Sequence, residues 1–388
     1  MQKANQSAFR RSPFLVCYWK GERLVFENFA TGAKASAAPI TCEVLNFFSD
    51  WRTSESLCAH LNQFSPWSLR KALAALVRQT FLQRSGRAEP AAERKMQSWQ
   101  NWNPAAGFLH FSTKDLTYES DPSMLRSHLK RLVRAEPRPT SVKRYRHAKQ
   151  IELPQPRTQG EFPSVLAERR TWRRFSPDAI SAADLATLLG LTWGVQESAQ
   201  APEVGRFALK TSPSGGALHP IEAYVLAHNV EGFSPGLYHY DAERHELELL
   251  RRGVTGKQIT DYLAGQDWFA GAAAVVMMTA VFPRTQWKYK FPRAYRVVLA
   301  EAGHLCQTFC LVATWLGLAP FCTMALADTR IEKALGIDGV TESVLYAAGV
   351  GKRPAGMDWM TASVPESIAK KTPRQESRNK RNLSRASR

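Results

Sequence analysis

The chain has 388 residues, enough for two globular units, and its 44% apolar content with 11 Trp supplies a sizeable core, which excludes a chain disordered throughout. A formal charge of +18 leaves nucleic acid, an acidic membrane surface, an acidic protein or an anionic cofactor open as partners. No signal-peptide core opens the sequence, and the most apolar run, residues 271–282, is too short to cross a bilayer as a helix, so a soluble cytoplasmic protein without a membrane segment is expected.

Two apolar runs around Lys20-Gly21 predict a hairpin over 13–35. Three helices follow, with Thr41, Thr53 and Ser65 as N-caps and Pro66 at the first helical position of the third. These elements suggest a small winged-helix-like unit over 12–86. Residues 87–160 read as a connector with some packed content, first rich in Ala, Pro and charge, then aromatic, then basic and Pro-rich, where proline rules out a continuous helix. From residue 164 the pattern turns regular. It predicts a helix ending at Arg173, a helix capped by Ser181, a strand from Ile221 and a hairpin turning near 241–245. A buried strand around 272–282 follows, then a long helix over 293–318 that is apolar nearly all round, a strand, a helix starting at Asp328 and a last strand. Residues 161–360 are therefore expected to form an α+β domain with a mixed sheet and a central buried helix. The tail, 361–388, has eight basic residues and one acid from 370 onward and reads as disordered. Of six cysteines, only Cys306 and Cys310 share a helix face, and no nearby pair completes a zinc set; buried free thiols and no metal are expected.

Four clusters carry chemistry. Residues 167–175 hold four arginines in six positions. At helical spacing Arg169 and Arg173 share a face, which suits either a phosphate or a solvated helix end. The stretch Thr211-Ser-Pro-Ser-Gly-Gly-Ala-Leu-His-Pro220 offers hydroxyls and unhindered backbone N–H groups to a flat, polar-edged ligand, or forms an ordinary turn before a strand. It lacks the GK[ST] ending of a phosphate P-loop and the GxGxxG pattern. Lys288 and Tyr289, between a buried strand and a buried helix, read as proton-transfer groups or as part of a basic surface loop. Glu301, His304 and Thr308 make a polar stripe on the long helix, best read as a structural hydrogen-bond network.

In this order, the motifs RRTWRRF, SPSGGALHPIEAYV, GLYHYDAERHELELL, WKY, RVVLAEAGHLCQTFCLVATWLGL and VLYAAGVGKRP resemble the FMN-dependent nitroreductase superfamily over about residues 164–356. Within it the chain looks closest to the SagB-type dehydrogenases, which oxidise thiazolines and oxazolines to azoles in ribosomally made peptides. The resemblance implies FMN held at its phosphate and ribityl chain by Arg169, Thr171 and Arg173, with Lys352 or Arg353 adding charge. It implies a loop of Ser214, Gly215, Gly216 and Ala217 beside the flavin, and Lys288 and Tyr289 as the catalytic pair. It also implies a homodimer with FMN at the subunit interface, a precursor peptide as substrate and a possible cyclodehydratase partner. The amino-terminal unit and the stretch WQNWNPAAGFLHFSTKD are similar to the front part of that subfamily, where the unit resembles a peptide clamp. Two departures bear on the substrate: residues 322–328 contain no Gly, and Lys290 stands where a small residue is frequent.

Three other readings are weighed against this one. The first is an NAD(P)H-dependent nitro- or quinone reductase on the same fold. The second is a nucleic-acid-binding winged helix motivated by Arg70, Lys71, Arg78 and the basic tail, disfavoured because its candidate recognition helix has few base-reading side chains. The third is a cofactor-free leader-peptide scaffold, which the intact flavin-loop residues oppose.

Overall fold

The computed structural model describes residues 7–119, 121–135, 143, 153–202 and 205–357. The expected disordered tail, 361–388, and most of the basic Pro-rich stretch lie outside the described residues. The amino-terminal elements are β1 (Ala8–Arg11), β2 (Leu15–Lys20), β3 (Arg23–Asn28), β4 (Ala33–Ser36), α1 (Ile40–Phe47), β5 (Arg52–Thr53), α2 (Ser54–His60), α3 (Pro66–Arg78) and β6 (Leu82–Arg84). The expected hairpin is the first two strands of a three-stranded antiparallel sheet, β2-β3-β4. A second sheet has the order β5-β1-β6, so its middle strand lies before the expected boundary at residue 12. Thr53 and Ser65 cap α2 and α3 as read, accepting from the N–H groups of Ser56 and Ser68. Thr41 does not cap: α1 begins at Ile40, behind Pro39. Helix α3 buries Leu69, Leu73 and Leu76, one stripe at helical spacing, against Phe26, Phe48, Leu57 and Phe81.

Next come α4 (Ala91–Lys95), α5 (Ala105–Ser112) and α6 (Pro122–Ala135). Trp99 and Trp102, on the turns between α4 and α5, are fully buried in the main core. Each indole must satisfy its N–H there. Trp99 donates to the Val340 carbonyl at 2.8 Å and Trp102 to the Tyr289 carbonyl at 3.0 Å. Lys114 pairs with the buried Glu332 at 2.6 Å.

The remaining elements are α7 (Glu161–Glu168), α8 (Ala182–Thr192), β7 (Glu197–Ala201), β8 (Gly205–Leu209), β9 (Ile221–Ala227), β10 (Gly236–Asp241), β11 (Glu246–Arg252), α9 (Gly256–Tyr262), β12 (Ala274–Val281), α10 (Phe282–Lys288), α11 (Ala294–Trp315), β13 (Leu318–Thr323), α12 (Asp328–Leu335) and β14 (Glu342–Lys352). Six strands form one sheet in the order β11-β10-β9-β12-β14-β13. The expectation of a mixed sheet is corrected: every ladder in it is antiparallel. Helix α11 does carry the chain from β12 to a strand of the same direction, β13. Strand β14 then inserts between them, running the other way, so no parallel ladder forms.

The sheet is covered on both faces, and β12 shows why its sequence is a continuous apolar run. Val276, Met278 and Ala280 join the cluster that contains Val298, Leu305 and Phe309 of α11. Val275 and Met277 join the opposite cluster, with Ile259 of α9 and Ile331 of α12. The long apolar helix is thus a core element, packed on the sheet and on α8.

Candidate active site

The loop before β9 is bound to the central helix. Glu301 of α11 accepts from Ser214 and from the Gly215 N–H; burial pushes its carboxyl upward against these bonds. Its second oxygen, Oε2, is buried without a hydrogen-bond partner. The Ser212 and Thr308 hydroxyls meet at 2.8 Å. The polar stripe therefore does structural work, as its spacing suggested. The loop backbone is constrained: Gly216 (φ 71°), Ala217 (φ 55°) and His219 (φ 42°) are all left-handed. For Ala and His this is a costly conformation, which persists only where surrounding contacts over-determine it.

Lys288 and Tyr289 converge on this loop. They lie at the end of α10, not in a loop, and the helix aims them. A Cβ on Gly216 would stand 2.9 Å from Tyr289 Oη and 3.1 Å from Lys288 Nζ. The Lys288 ammonium lies 5.6 Å from the Tyr289 ring centre. Trp102 fixes the Tyr289 carbonyl from below. A cleft of about 590 Å³ opens beside them, lined by Gly216, Ala217, Arg284, Trp287, Lys288 and Phe207. Gly215 sits so close to α11 that an added Cβ would come 2.5 Å from Val297 Cγ1. Gly215→Ala is expected to destabilise the fold by about 1–3 kcal/mol through overpacking. Its thermal midpoint should drop accordingly, and an unchanged midpoint would show that the loop can yield.

The arginine segment corrects the helical reading. Helix α7 ends at Glu168, and residues 169–174 belong to no helix or strand. Two contacts pull the chain out of the helix: the Trp172 N–H donates to the Pro320 carbonyl at 2.9 Å, and the Ser176 N–H to the Lys352 carbonyl at 2.9 Å. Arg170 turns back, and its Nη1 donates to the carbonyls of Ala167 and Arg169, both at 2.7 Å. It thereby satisfies carbonyls that every helix end leaves orphaned. Arg169 and Arg173 remain together, both acting electrostatically on Cys322. Trp172 packs on Ala319 under the Arg353 guanidinium, 5.4 Å from its ring centre. Arg353 is engaged as a helix cap: its Nε donates to the Leu318 carbonyl and its Nη2 to that of Thr314, at 2.8 and 3.2 Å. Lys352 is exposed at the end of β14. The loop touches α11 at Glu301, and Arg353 touches it at Thr314, a separation of roughly 20 Å along the axis.

Sequence reading missed Arg284 and Trp287, which line the cleft. Their spacing with Lys288, at i, i+3 and i+4 on α10, was the available signal. Arg284 pairs with Glu222 and donates to the His219 carbonyl. Glu222 also meets His239 Nε2 at 3.2 Å, while His239 Nδ1 meets Glu248 at 2.8 Å. Burial alone would raise the Glu222 carboxyl, but His239 and Arg284 outweigh it and hold it at about 2. The bond to Glu222, against burial and with help from Glu248, lifts His239 to about 9 from its ordinary 6.5. The raised value means that the contribution of His239 to stability is complete below about pH 6.5 and is lost as pH rises through 9. The thermal midpoint is expected to fall between pH 7 and 9.5, and to fall less in Glu222→Gln. A midpoint equally flat in both proteins would contradict this linkage.

Comparison with known proteins shows what the chain is similar to. Residues 166–352 match the model of the nitroreductase family. MJ1384 of Methanocaldococcus jannaschii, which is named a nitroreductase, is 30% identical over 177 residues, covering 46% of this chain and 85% of that protein. The trifolitoxin-processing protein TfxB of Rhizobium leguminosarum bv. trifolii is 28% identical over 44% of this chain and 47% of its own length. The microcin B17-processing protein McbC of Escherichia coli is 30% identical over 36% of this chain and 53% of its own. The chain thus spans about half the length of these two processing proteins. The E. coli microcin synthetase McbBCD complex, solved with truncated pro-MccB17 bound, contains a chain 22% identical, with a TM-score of 0.46, covering 61% of this chain and 89% of that one. The family match spans the cleft, the glycine loop, the arginine segment and the central helix, and with MJ1384 matched over most of its length, this chain belongs to the nitroreductase family.

Proposed function

We propose that the protein is an FMN-dependent, SagB-type dehydrogenase that oxidises thiazoline or oxazoline rings of a ribosomally made peptide to thiazole or oxazole. One observation carries the reading: Tyr289 Oη and Lys288 Nζ both approach Gly216, and Gly216 and Lys288 line the cleft. A flat ligand against that backbone would have both proton-transfer groups at hand. The likeness to two peptide-processing proteins supports a peptide substrate.

The residues present fit FMN. Arg169 and Arg173 both reach Cys322, with Thr171 between them in sequence, a donor set suited to a phosphate and a ribityl chain. Gly216 keeps the loop backbone bare where a ring would lie, while the Gly215 N–H serves Glu301. Lys352 supplies further positive charge, while Arg353 acts mainly on the end of α11. When bound, FMN supplies the two-electron acceptor, with dioxygen as its reoxidant; the protein supplies placement and proton removal. Lys288 is the base that takes the acidic ring proton, and Tyr289 is its partner or shuttle. A homodimer with the flavin at the subunit interface completes the reading. Exposed apolar side chains at Leu191, Val297 and Trp315 support such an interface.

Residues 12–86, extended by β1, serve as a winged-helix-like peptide clamp in this reading. A cleft of about 670 Å³ there is lined by Arg70, Arg78, Arg84 and Arg87 above Leu73 and Val77. It suits an acidic leader segment with apolar anchors, delivered with a cyclodehydratase partner. The test is the visible absorbance spectrum of the purified protein, then turnover of an azoline-containing peptide in air. Flavin bands near one FMN per chain and loss of two hydrogens per ring are expected. A protein that stays colourless with added FMN overturns the reading. Rapid flavin reduction by NAD(P)H without azoline oxidation would favour the reductase instead.

A further inference from the structure

Helix α11 places Cys306 and Cys310 one turn apart on the face it turns to the sheet. Strand β13 alternates its side chains, so Phe321 enters one core cluster while Cys322 faces the other, where the two helical cysteines lie. The three Sγ atoms all lie within 4.8 Å of one another. Cys306 and Cys310 are 3% and 4% exposed, and Cys322 is half-buried.

We propose that Cys306, Cys310 and Cys322 form a three-thiolate site for a single Cu(I) ion, an assignment independent of the flavin reading. Three sulfurs about 2.3 Å from a central ion would stand roughly 4 Å apart, so only a small inward movement closes the site. The donors are all soft sulfur, and among the described residues no His, Asp or Glu joins them. Such a set selects thiophilic ions. Structural Zn(II) almost always takes four ligands, whereas Cu(I) accepts three. The Tyr346 hydroxyl donates to the Cys322 sulfur at 3.6 Å. Each Cu–S bond displaces the thiol proton where one remains, and no electron moves. The resulting double negative charge is offset by Arg169 and Arg173, which act on Cys322.

The test uses the full chain with Cys17→Ser, Cys42→Ser and Cys58→Ser, which removes the more accessible thiols. It is reduced, kept anaerobic and titrated with Cu(I) against bathocuproine disulfonate. One Cu(I) per chain should be retained, with three sulfurs at about 2.3 Å by X-ray absorption. Adding Cys322→Ser should weaken affinity at least ~100-fold, more than loss of an outer partner costs. Should that variant fail to fold, Cys306→Ala carries the same comparison. Failure of the parent to retain copper, or equal retention by the ligand variant, overturns the site. Zn(II) held at one per chain while Cu(I) is stripped overturns the choice of ion. Flavin content, read from visible absorbance, is a separate measurement, so either proposal can fail without the other.

Discussion

Replacing Lys288 by Ala together with Tyr289 by Phe is expected to reduce azoline oxidation by about 10²–10⁴-fold or more while FMN stays bound, since positioned acid–base groups contribute on that order. The geometry separates the two functions. The pair reaches the loop through the Lys288 ammonium and the Tyr289 hydroxyl, and neither belongs to the arginine set that would hold the phosphate. Tyr289→Phe keeps the ring, its contact with Phe291 at 6.0 Å and the carbonyl held by Trp102. Only the hydroxyl is lost, so this single variant isolates proton transfer from packing. If it falls as far as the double variant, the hydroxyl carries the proton; if Lys288→Ala falls further, the amine is the base. Turnover equal to the unmodified protein in the double variant, at equal flavin content, would remove both residues from the mechanism.

Arg169→Ala combined with Arg173→Ala is expected to weaken FMN binding by about 10²–10⁴-fold, because each charge-assisted hydrogen bond contributes roughly 1.5–3 kcal/mol. Equilibrium dialysis or fluorescence quenching of added FMN reads the loss directly. Arg170→Ala is the control from the same run of sequence. Its guanidinium serves the carbonyls at the end of α7, so its loss should lower stability by about 1 kcal/mol and leave flavin affinity within a few-fold. Equal effects of the Arg170 and Arg169/Arg173 replacements would show that Arg170 also serves the flavin. A double variant that binds FMN normally would move the phosphate elsewhere, with Lys352 the next residue to replace.

Much of the fold was legible because its signals are local. The caps at Thr53, Ser65 and Ser181, the turn of the β10–β11 hairpin and the apolar circumference of α11 each act within a few residues, and each lies where the pattern put it. The glycine loop and the Lys-Tyr pair were readable as motifs, and so was the family. By itself the sequence determined the order of the elements it named and the identity of the candidate groups; it did not show β1, β4, α4 to α6, the β7–β8 hairpin or α9.

The tertiary structure decided how those groups are used. The arginine segment has helical spacing in sequence, yet the sheet edge offers backbone partners at Pro320 and Lys352 that draw it out of the helix. The support of Tyr289 comes from Trp102, 187 positions away, and no period or cap connects them. Cys322 joins Cys306 and Cys310 only because strand alternation turns it toward α11. The insertion of β14 between two strands of like direction makes the sheet antiparallel, although the strand–helix–strand pattern suggests otherwise. The physical reason is common to all four. Local preference fixes backbone conformation over about one helical turn or one strand pair. Which side chains meet is set by burial and by hydrogen-bond satisfaction across the whole core, and those depend on residues far apart in the chain.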